Sequence, residues 1–179
     1  YLNFLEGHMA GAKPNPIFIY KLGEGRLFAM PRPAGGIFLY GAIDSLAQAG
    51  FTLVVSLLDS LNTQELGLFE EEYLCKLRGL DFLNLPIRDR SVPDSSDDYL
   101  AAVNSAYHHI TAGGVAVAHC WAGIGRTGLF IASLLVRHGL DPGTAFKTVS
   151  RARGSSVPDT QEQIEWVYAH HEQLQALGP

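Results

Sequence analysis

Cys120 and Arg126 stand six positions apart, a spacing at which the two side chains could act together in a chemical reaction. A cysteine thiolate is a strong nucleophile, and the planar guanidinium of an arginine can bind two oxygens of one phosphate group. Glycines at 123 and 125 would allow the intervening backbone N–H groups to converge on a bound oxyanion. The spacing therefore predicts an anion-binding loop that follows Cys120. Its members are Trp121, Ala122, Gly123, Ile124, Gly125 and Arg126.

The segments on either side of this loop are suited to holding it in place. Residues 115–119 are small or β-branched and mostly apolar, which predicts a buried strand, and the apolar run 129–136 predicts a buried helix. A loop between a strand and a helix lies at the positive end of the helix dipole. We expect that end, together with Arg126, to favour a bound oxyanion and the thiolate form of Cys120.

The wider pattern is His-Cys-x2-Gly-x2-Arg-Thr-Gly, which begins at His119 and ends at Gly128. It resembles the signature of cysteine-dependent protein-tyrosine and dual-specificity phosphatases, in particular the small dual-specificity branch with its bacterial and cyclin-dependent-kinase-associated members. The resemblance implies that Cys120 attacks phosphorus while Arg126 and the loop amides hold the phosphate oxygens, after which water hydrolyses the cysteinyl phosphate. It implies no metal or other cofactor, since the amides and the arginine stabilise the charge.

The resemblance also gives roles to the two residues that flank the loop. His119 orients the loop through hydrogen bonds and is not itself the acid. Thr127 donates its hydroxyl to the sulfur of Cys120 as the sulfur leaves phosphorus. Capping of the following helix is the structural alternative for Thr127, and the two roles are compatible.

Cleavage of a phosphate ester also needs an acid that protonates the departing oxygen. Residues 86–94 form a loop bracketed by prolines after a predicted strand, and they resemble the general-acid loop of small dual-specificity phosphatases. Asp89 lies 31 residues before Cys120 and fits the spacing of those relatives. Asp94 follows a Val-Pro pair and is the alternative acid. For either residue the structural alternative is an aspartate that stabilises its own turn.

A second group of polar residues precedes the last predicted helix. Asp159, Thr160 and Gln163 resemble the Gln-Thr-x-x-Gln segment that positions the hydrolytic water in tyrosine-specific relatives, with Asp159 in place of the first glutamine. Asp159 and Gln163 are therefore candidates for positioning water. Thr160 and Gln163 also match a capping box, which is a purely structural role.

Composition limits the class of protein. The chain has 179 residues, of which 47% are hydrophobic and 17% charged, so we expect a single catalytic domain over residues 9–179. Residues 1–8 resemble a protease-site and cloning remnant that precedes a native start at Met9. The net charge of −5 and the lack of a long apolar run argue against nucleic-acid and membrane partners.

Two cysteines are too few for a disulfide framework, and a thiolate nucleophile suits a reducing compartment, so we expect a cytoplasmic protein. Cys75 lies in an apolar helical pattern, where a place in the core is the main interpretation and a resolving thiol for oxidised Cys120 is the alternative. The adjacent histidine pairs at 108–109 and 170–171 lack the spacing of a metal site.

Alternating strand and helix patterns predict an α/β fold: a central, mostly parallel β-sheet flanked by helices, like that of the phosphotyrosine phosphatases. The predicted strands cover residues 17–21 and 26–29, which form a hairpin at the sheet edge, and residues 52–57, 82–85 and 115–119. Helices are predicted at 38–49, once or twice within 65–77, at 97–112, 129–136 and 142–152, and from Thr160 with Ile164, Val167, Tyr168, His171 and Leu174 facing inward.

The sequence thus predicts a monomeric phosphomonoester hydrolase that acts on phosphotyrosine, and also on phosphoserine or phosphothreonine, of a phosphorylated protein or peptide. A phosphoinositide phosphatase is an alternative, although such enzymes often carry lysines where this loop has Trp121, Ala122 and Ile124. A phosphate-binding pseudophosphatase is a second alternative. A sulfur-transfer or arsenate-reducing enzyme is a third, but its cysteine loop usually differs in position or length.

Overall fold

Five strands form one sheet in the computed structural model, which describes residues 13–177. The strands are β1 (Ile17–Leu22), β2 (Gly25–Met30), β3 (Leu53–Leu58), β4 (Asp81–Ile87) and β5 (Val115–His119). Their order across the sheet is β1-β2-β5-β3-β4, and only the β1–β2 pair is antiparallel. The mostly parallel sheet and its N-terminal edge hairpin are therefore confirmed. The predicted cloning remnant, residues 1–8, lies outside the described residues.

The burial of the strands explains their sequences. Every residue of β3 is buried, and so are the last four residues of β5, so these strands are continuous apolar runs without alternation. Phe18 on the edge strand β1 is 49% exposed whereas its neighbour Ile19 is buried. The strands that meet in parallel all point their carboxyl ends to one edge of the sheet, where ligand sites of open α/β sheets are found.

Helices flank this sheet. They are α1 (Leu39–Gln48), α2 (Ser60–Glu65), α3 (Glu71–Leu77), α4 (Ser96–Thr111), α5 (Gly125–Arg137), α6 (Pro142–Arg153), α7 (Gln161–Ala169) and α8 (His171–Ala176), and a 3₁₀ turn (Gly36–Phe38) precedes α1. Four helices begin with a side-chain cap that accepts a backbone N–H three residues later. These caps are Asp59, Ser95, Asp141 and Thr160. Within residues 13–177 no helix has the length and apolar character needed to cross a bilayer.

The central helix α5 is buried along almost its whole length, from Gly125 to Val136. It packs against α4, α6, α7 and α8. The helix begins at Gly125 rather than after Gly128, so the predicted start is four residues too late. The first turn of α5 therefore carries Arg126 and Thr127, which places both side chains at the helix end that borders the loop.

Two predicted helical regions differ from the structure. Within residues 65–77 the chain forms α3 alone, and α2 lies before it, because Asp59 accepts the N–H of Asn62 and starts a helix earlier. Phe69, Tyr73 and Leu77 are exposed.

The predicted last helix is two helices separated at His170, whose ring stacks on Trp166 with ring centroids 4.0 Å apart. Tyr168 was expected to face inward, but its side chain is 50% exposed. Trp166 and Gln163 occupy the buried face of α7 instead.

Candidate active site

A pocket of about 370 Å³ opens at the carboxyl edge of the sheet. It is formed by the loop between β5 and α5, by the loop that follows β4, and by the residue that precedes Thr160. The lining residues are Asp89, Arg90, Cys120, Trp121, Ala122, Arg126 and Asp159. The structure thus brings together the predicted nucleophile, arginine and first-choice acid, which lie in two separate parts of the sequence.

The loop 121–126 needs glycine at position 123 and approaches a neighbouring side chain closely at position 125. Gly123 has a φ of +70°, and a Cβ at this residue would collide with the carbonyl oxygen of Met30 at the end of β2. A Cβ on Gly125 would collide with the carboxylate of Asp159. The loop is therefore packed tightly against both β2 and the segment before α7.

The backbone N–H groups of residues 121–127 have no acceptor among the described residues, and the first bond of α5 is donated by Gly128 to the carbonyl of Ile124. Unpaired N–H groups at a helix start, combined with the helix dipole, form an anion-binding site. Cys120 precedes these groups and is only 3% exposed, yet it lines the pocket. The arrangement can hold an oxyanion next to the cysteine sulfur.

Arg126 is 2% exposed and is held from three directions. Its Nη1 donates to Oδ1 of Asn62 at 2.9 Å and to the carbonyl oxygen of Ile87 at 3.0 Å, and its Nη2 lies 3.1 Å from Oδ1 of Asp89. These contacts fix the guanidinium at the pocket wall. Sequence reasoning missed Asn62, because no motif marks an asparagine that reaches the site from α2.

His119 is completely buried and does not line the pocket. Nε2 lies 2.9 Å from Oε1 of Glu71, and Nδ1 lies 3.4 Å from the carbonyl oxygen of Cys120. Glu71 is itself only 2% exposed. The structure therefore places His119 under the loop, where it contacts the backbone of Cys120. Sequence reasoning missed Glu71, because no motif marks it within the helical region predicted at 65–77.

The two candidate acids, both on the loop after β4, lie in different surroundings. Asp89 lines the pocket, whereas Asp94 pairs with Arg88 at 2.9 Å on the surface and lies outside it. Arg90 also lines the pocket, and its φ of 57° is unusual for a residue other than glycine. Residues held in such a conformation often belong to functional sites.

The two candidates for positioning water lie in different surroundings. Asp159 lines the pocket, but Gln163 is fully buried and its Nε2 donates to the carbonyl of Ser91 at 2.9 Å. The Thr160 hydroxyl accepts the N–H of Gln163 at 3.2 Å, so the threonine half of the predicted capping box is present. The Gln163 side chain does not complete the box, because it anchors the loop that carries Asp89.

Thr127 is buried, and its hydroxyl has no hydrogen-bond partner in the described part of the chain. Its alternative role as a helix cap is wrong, because α5 begins after Ile124 and uses no side-chain cap. The expected contact between Thr127 and the sulfur of Cys120 is not formed in this structure and stays a prediction.

Two further arginines contact the loop from outside. Nη2 of Arg153 donates to the carbonyl oxygen of Ala122 at 3.2 Å, and the backbone N–H of Arg32 donates to the carbonyl oxygen of Trp121 at 3.1 Å. Burial lowers the pKa of Arg153, and the nearby Cys120 opposes that shift. In a chain of net charge −5, the arginines concentrated here favour an anionic ligand.

The remaining cysteine and the histidine pairs lie apart from the pocket lining. Cys75 is a free, fully buried thiol, and burial raises its pKa to about 12. Its core position agrees with the main interpretation of the sequence. In the range 13–177, no three metal-ligating side chains are grouped in a way that could hold a metal ion.

A family model described as "Polymorphic toxin system, DSP-PTPase phosphatase" matches residues 30–140, which is more than half of the chain. The chain belongs to this phosphatase family. The match includes Cys120, Arg126, Asp89 and Asp94 but ends before Asp159.

Solved structures share the fold across nearly the whole chain. Kinase associated phosphatase (KAP), with its catalytic cysteine replaced by serine, has a TM-score of 0.80 at 16% identity over 93% of this chain and 99% of its own. Tk-PTP in the active form has a TM-score of 0.69 at 27% identity over 88% and 98%. PTPMT1 in complex with PI(5)P has a TM-score of 0.70 at 19% identity over 88% and 96%. No curated protein matches the chain. Family and fold together support phosphatase activity.

Proposed function

We propose that the chain hydrolyses phosphotyrosine, and also phosphoserine or phosphothreonine, in proteins through a cysteinyl-phosphate intermediate on Cys120. The observation that carries this proposal is a pocket in which Cys120 adjoins unpaired backbone N–H groups and the guanidinium of Arg126. A phosphate group bound there would place its phosphorus next to the sulfur. The tight packing of the loop means that the donors are positioned before the substrate arrives.

In the first step the Cys120 thiolate attacks phosphorus, and the bond between phosphorus and the leaving oxygen breaks. Asp89 gives its proton to that oxygen, so the product leaves as a neutral alcohol or phenol. Arg126 and the N–H groups of residues 121–126 hold the three other phosphate oxygens, on which negative charge accumulates. His119 acts as a positioning residue that holds the Cys120 backbone.

In the second step water attacks phosphorus and the bond to sulfur breaks. Asp89 accepts the proton of that water, which releases inorganic phosphate and restores the acid for the next cycle. Thr127 donates its hydroxyl to the departing sulfur. Asp159 is the candidate for holding the water, since it lines the pocket, and Gln163 contributes by anchoring the loop of Asp89 at Ser91.

Asp89 is the better candidate for the acid than Asp94. The carboxylate of Asp89 lies 3.1 Å from Nη2 of Arg126 and lines the pocket. The carboxylate of Asp94 is bound to Arg88 and lines a different cavity, next to Pro93 and Tyr99. A proton donor must come within hydrogen-bond reach of the leaving oxygen, which favours the residue in the pocket.

The pocket lining favours a protein substrate over a phosphoinositide. Among the described residues it contains Trp121 and Ala122 at an exposed rim and no lysine, so it is suited to an aromatic or aliphatic leaving group. PTPMT1 was solved with PI(5)P and shares the fold, which makes a phosphoinositide the substrate class to compare.

The test compares wild type and Cys120→Ser on para-nitrophenyl phosphate, a phosphotyrosine peptide, a phosphothreonine peptide and a short-chain phosphoinositide. We expect turnover of the peptides by wild type alone, and faster turnover of peptide than of phosphoinositide. The opposite ranking would assign the site to phosphoinositides. Tight binding of phosphate by wild type without any turnover would show a phosphate-binding protein instead.

A further inference from the structure

A second pocket, of about 400 Å³, adjoins the active-site pocket. Trp121 lines both, so one side chain forms the wall between them. The other residues that matter here belong to the segments on either side of the β1–β2 hairpin, namely Lys13, Pro14, Pro31, Arg32 and Pro33. Residues of a substrate next to its phosphorylated residue would reach this second pocket across Trp121.

The charge of the second pocket is uniformly positive. Lys13 and Arg32 are the charged residues that line it, and no aspartate or glutamate does so within residues 13–177. Neither cation forms an ion pair with another described residue. Two cations that face a cavity without a counterion attract an anionic ligand.

The geometry of Arg32 keeps its charge beside the active site. Its backbone N–H donates to the carbonyl oxygen of Trp121, and its guanidinium carbon lies 5.9 Å from the centroid of the Trp121 ring. Its Nη1 donates to the carbonyl oxygen of Pro33 at 3.4 Å, which leaves the other N–H groups of the guanidinium for a ligand. These two contacts with Trp121 therefore hold Arg32 against the loop that is proposed to bind the phosphate.

The apolar part of the lining identifies the kind of ligand. Pro14, Pro31, Pro33 and Trp121 provide rigid apolar surface around the two cations. Such a surface packs against the backbone and methylene groups of an extended peptide, whereas an inositol ring presents hydroxyls that would lose their hydration without partners.

We propose that this pocket binds an anionic side chain that neighbours the phosphorylated residue of a peptide substrate, so that Lys13 and Arg32 select acidic phosphorylation sites. The anion is a carboxylate of aspartate or glutamate or a second phosphate, which share the same recognition by a guanidinium. The inference rests on the proposed protein-phosphatase function and names the substrate class for that site.

The experiment measures kcat/KM on phosphotyrosine peptides in which one neighbouring residue is alanine, glutamate or phosphoserine, moved through successive positions on either side. Turnover of para-nitrophenyl phosphate serves as the reference for each variant. The variants are Arg32→Gln, Lys13→Gln and, as a matched control, Arg26→Gln, which removes the same charge from the opposite end of β2.

We expect at least one acidic position to raise kcat/KM about fivefold over alanine in wild type, as for an exposed ion pair. Arg32→Gln should abolish this preference, Lys13→Gln should reduce it, and Arg26→Gln should keep it. A stronger effect of phosphoserine than of glutamate would identify the second phosphate as the preferred ligand, and equal effects would show that the pocket accepts either anion, both within the proposal.

Three results would overturn the inference. The first is a wild-type enzyme that turns over all peptides equally, and the second is a preference that Arg32→Gln and Arg26→Gln reduce to the same extent. The third is turnover of a phosphoinositide that depends on Arg32, with no preference among peptides. In each case turnover of para-nitrophenyl phosphate shows that the phosphatase itself is intact, and loss of that turnover in wild type would instead reject the proposed function.

Discussion

Oε1 of Glu71 lies 2.9 Å from Nε2 of His119, and the two side chains are 3% and 0% exposed. A charge that is removed from water is tolerated only when it is paired, so each residue depends on the other. The other ring nitrogen of His119 lies 3.4 Å from the carbonyl oxygen of Cys120. Glu71 on α3 therefore lies against the end of β5 beside the proposed nucleophile, as a close charge contact whose geometry is not that of a hydrogen bond.

Replacement of Glu71 by alanine should destabilise the protein by about 3 kcal/mol, since it leaves a buried imidazole without its partner. Urea denaturation of wild type and Glu71→Ala measures this difference. Glu72→Ala is the matched control, because Glu72 is exposed and, within residues 13–177, forms an ion pair with Lys76 alone, so its loss should cost less than about 0.5 kcal/mol. Equal destabilisation by the two variants would contradict a special role of the buried pair.

Asp89→Ala should lower kcat by roughly a hundredfold or more, because it removes the proposed proton donor from the pocket. Asp94→Ala breaks only the surface contact with Arg88 and should keep nearly full activity. Rates on para-nitrophenyl phosphate across the pH range decide this, and an inactive Asp94→Ala beside an active Asp89→Ala would reverse the assignment.

Asn62→Ala should weaken phosphate binding and lower kcat/KM roughly tenfold, because Arg126 loses a hydrogen bond that orients its guanidinium. The inhibition constants of phosphate and vanadate measure the change in oxyanion affinity separately from the change in kcat/KM. The matched control is Asn104→Ala, which removes a similar contact with Arg137, at 3.2 Å, at the opposite end of α5 from the loop. We expect this control to keep wild-type inhibition constants; a comparable loss there would show that Asn62 matters only through general stability.

Cys75 should resist alkylation in the native protein at pH 8, whereas Cys120 should react. Burial, followed by the charges of Glu71 and Glu72, raises the pKa of Cys75 to about 12, so its thiol stays protonated. Mass spectrometry after brief treatment with iodoacetamide identifies the labelled residue, and Cys120→Ser should remain unlabelled until it is denatured. Since the fold favours the protonated thiol, this contribution to stability should be lost as the pH rises from about 9 toward 12. Rapid labelling of Cys75 would reopen its role as a resolving thiol.

The loop could be predicted from the sequence because its parts are close in the chain. Cys120, the glycines and Arg126 fit within seven residues, and their spacing alone specifies a turn between a strand and a helix. Asn62 and Glu71 could not be predicted, since their roles arise only when the helices after β3 pack against the sheet. Asn62 and Arg126, for example, are 64 residues apart.

The sequence predicted the strands of the sheet well and the ends of the helices less well. Strand patterns are strong because β3 and β5 are buried along their lengths, and the caps at Asp141 and Thr160 gave correct starts. The break at His170 escaped prediction because apolar spacing continues through it to Leu174, which is buried. A ring stacked on Trp166, rather than a proline or glycine, marks that break.

The carbonyl oxygen of Ile87, which accepts a hydrogen bond from Arg126, belongs to the last residue of β4, and Asp89 follows only two residues later. The guanidinium is thus joined to the carboxylate by one hydrogen bond and two residues of backbone. A shift of the end of β4 would move Asp89, and the hydrogen bond from Arg126 opposes such a shift. The spacing between the guanidinium and the proposed proton donor is therefore coupled to the end of β4.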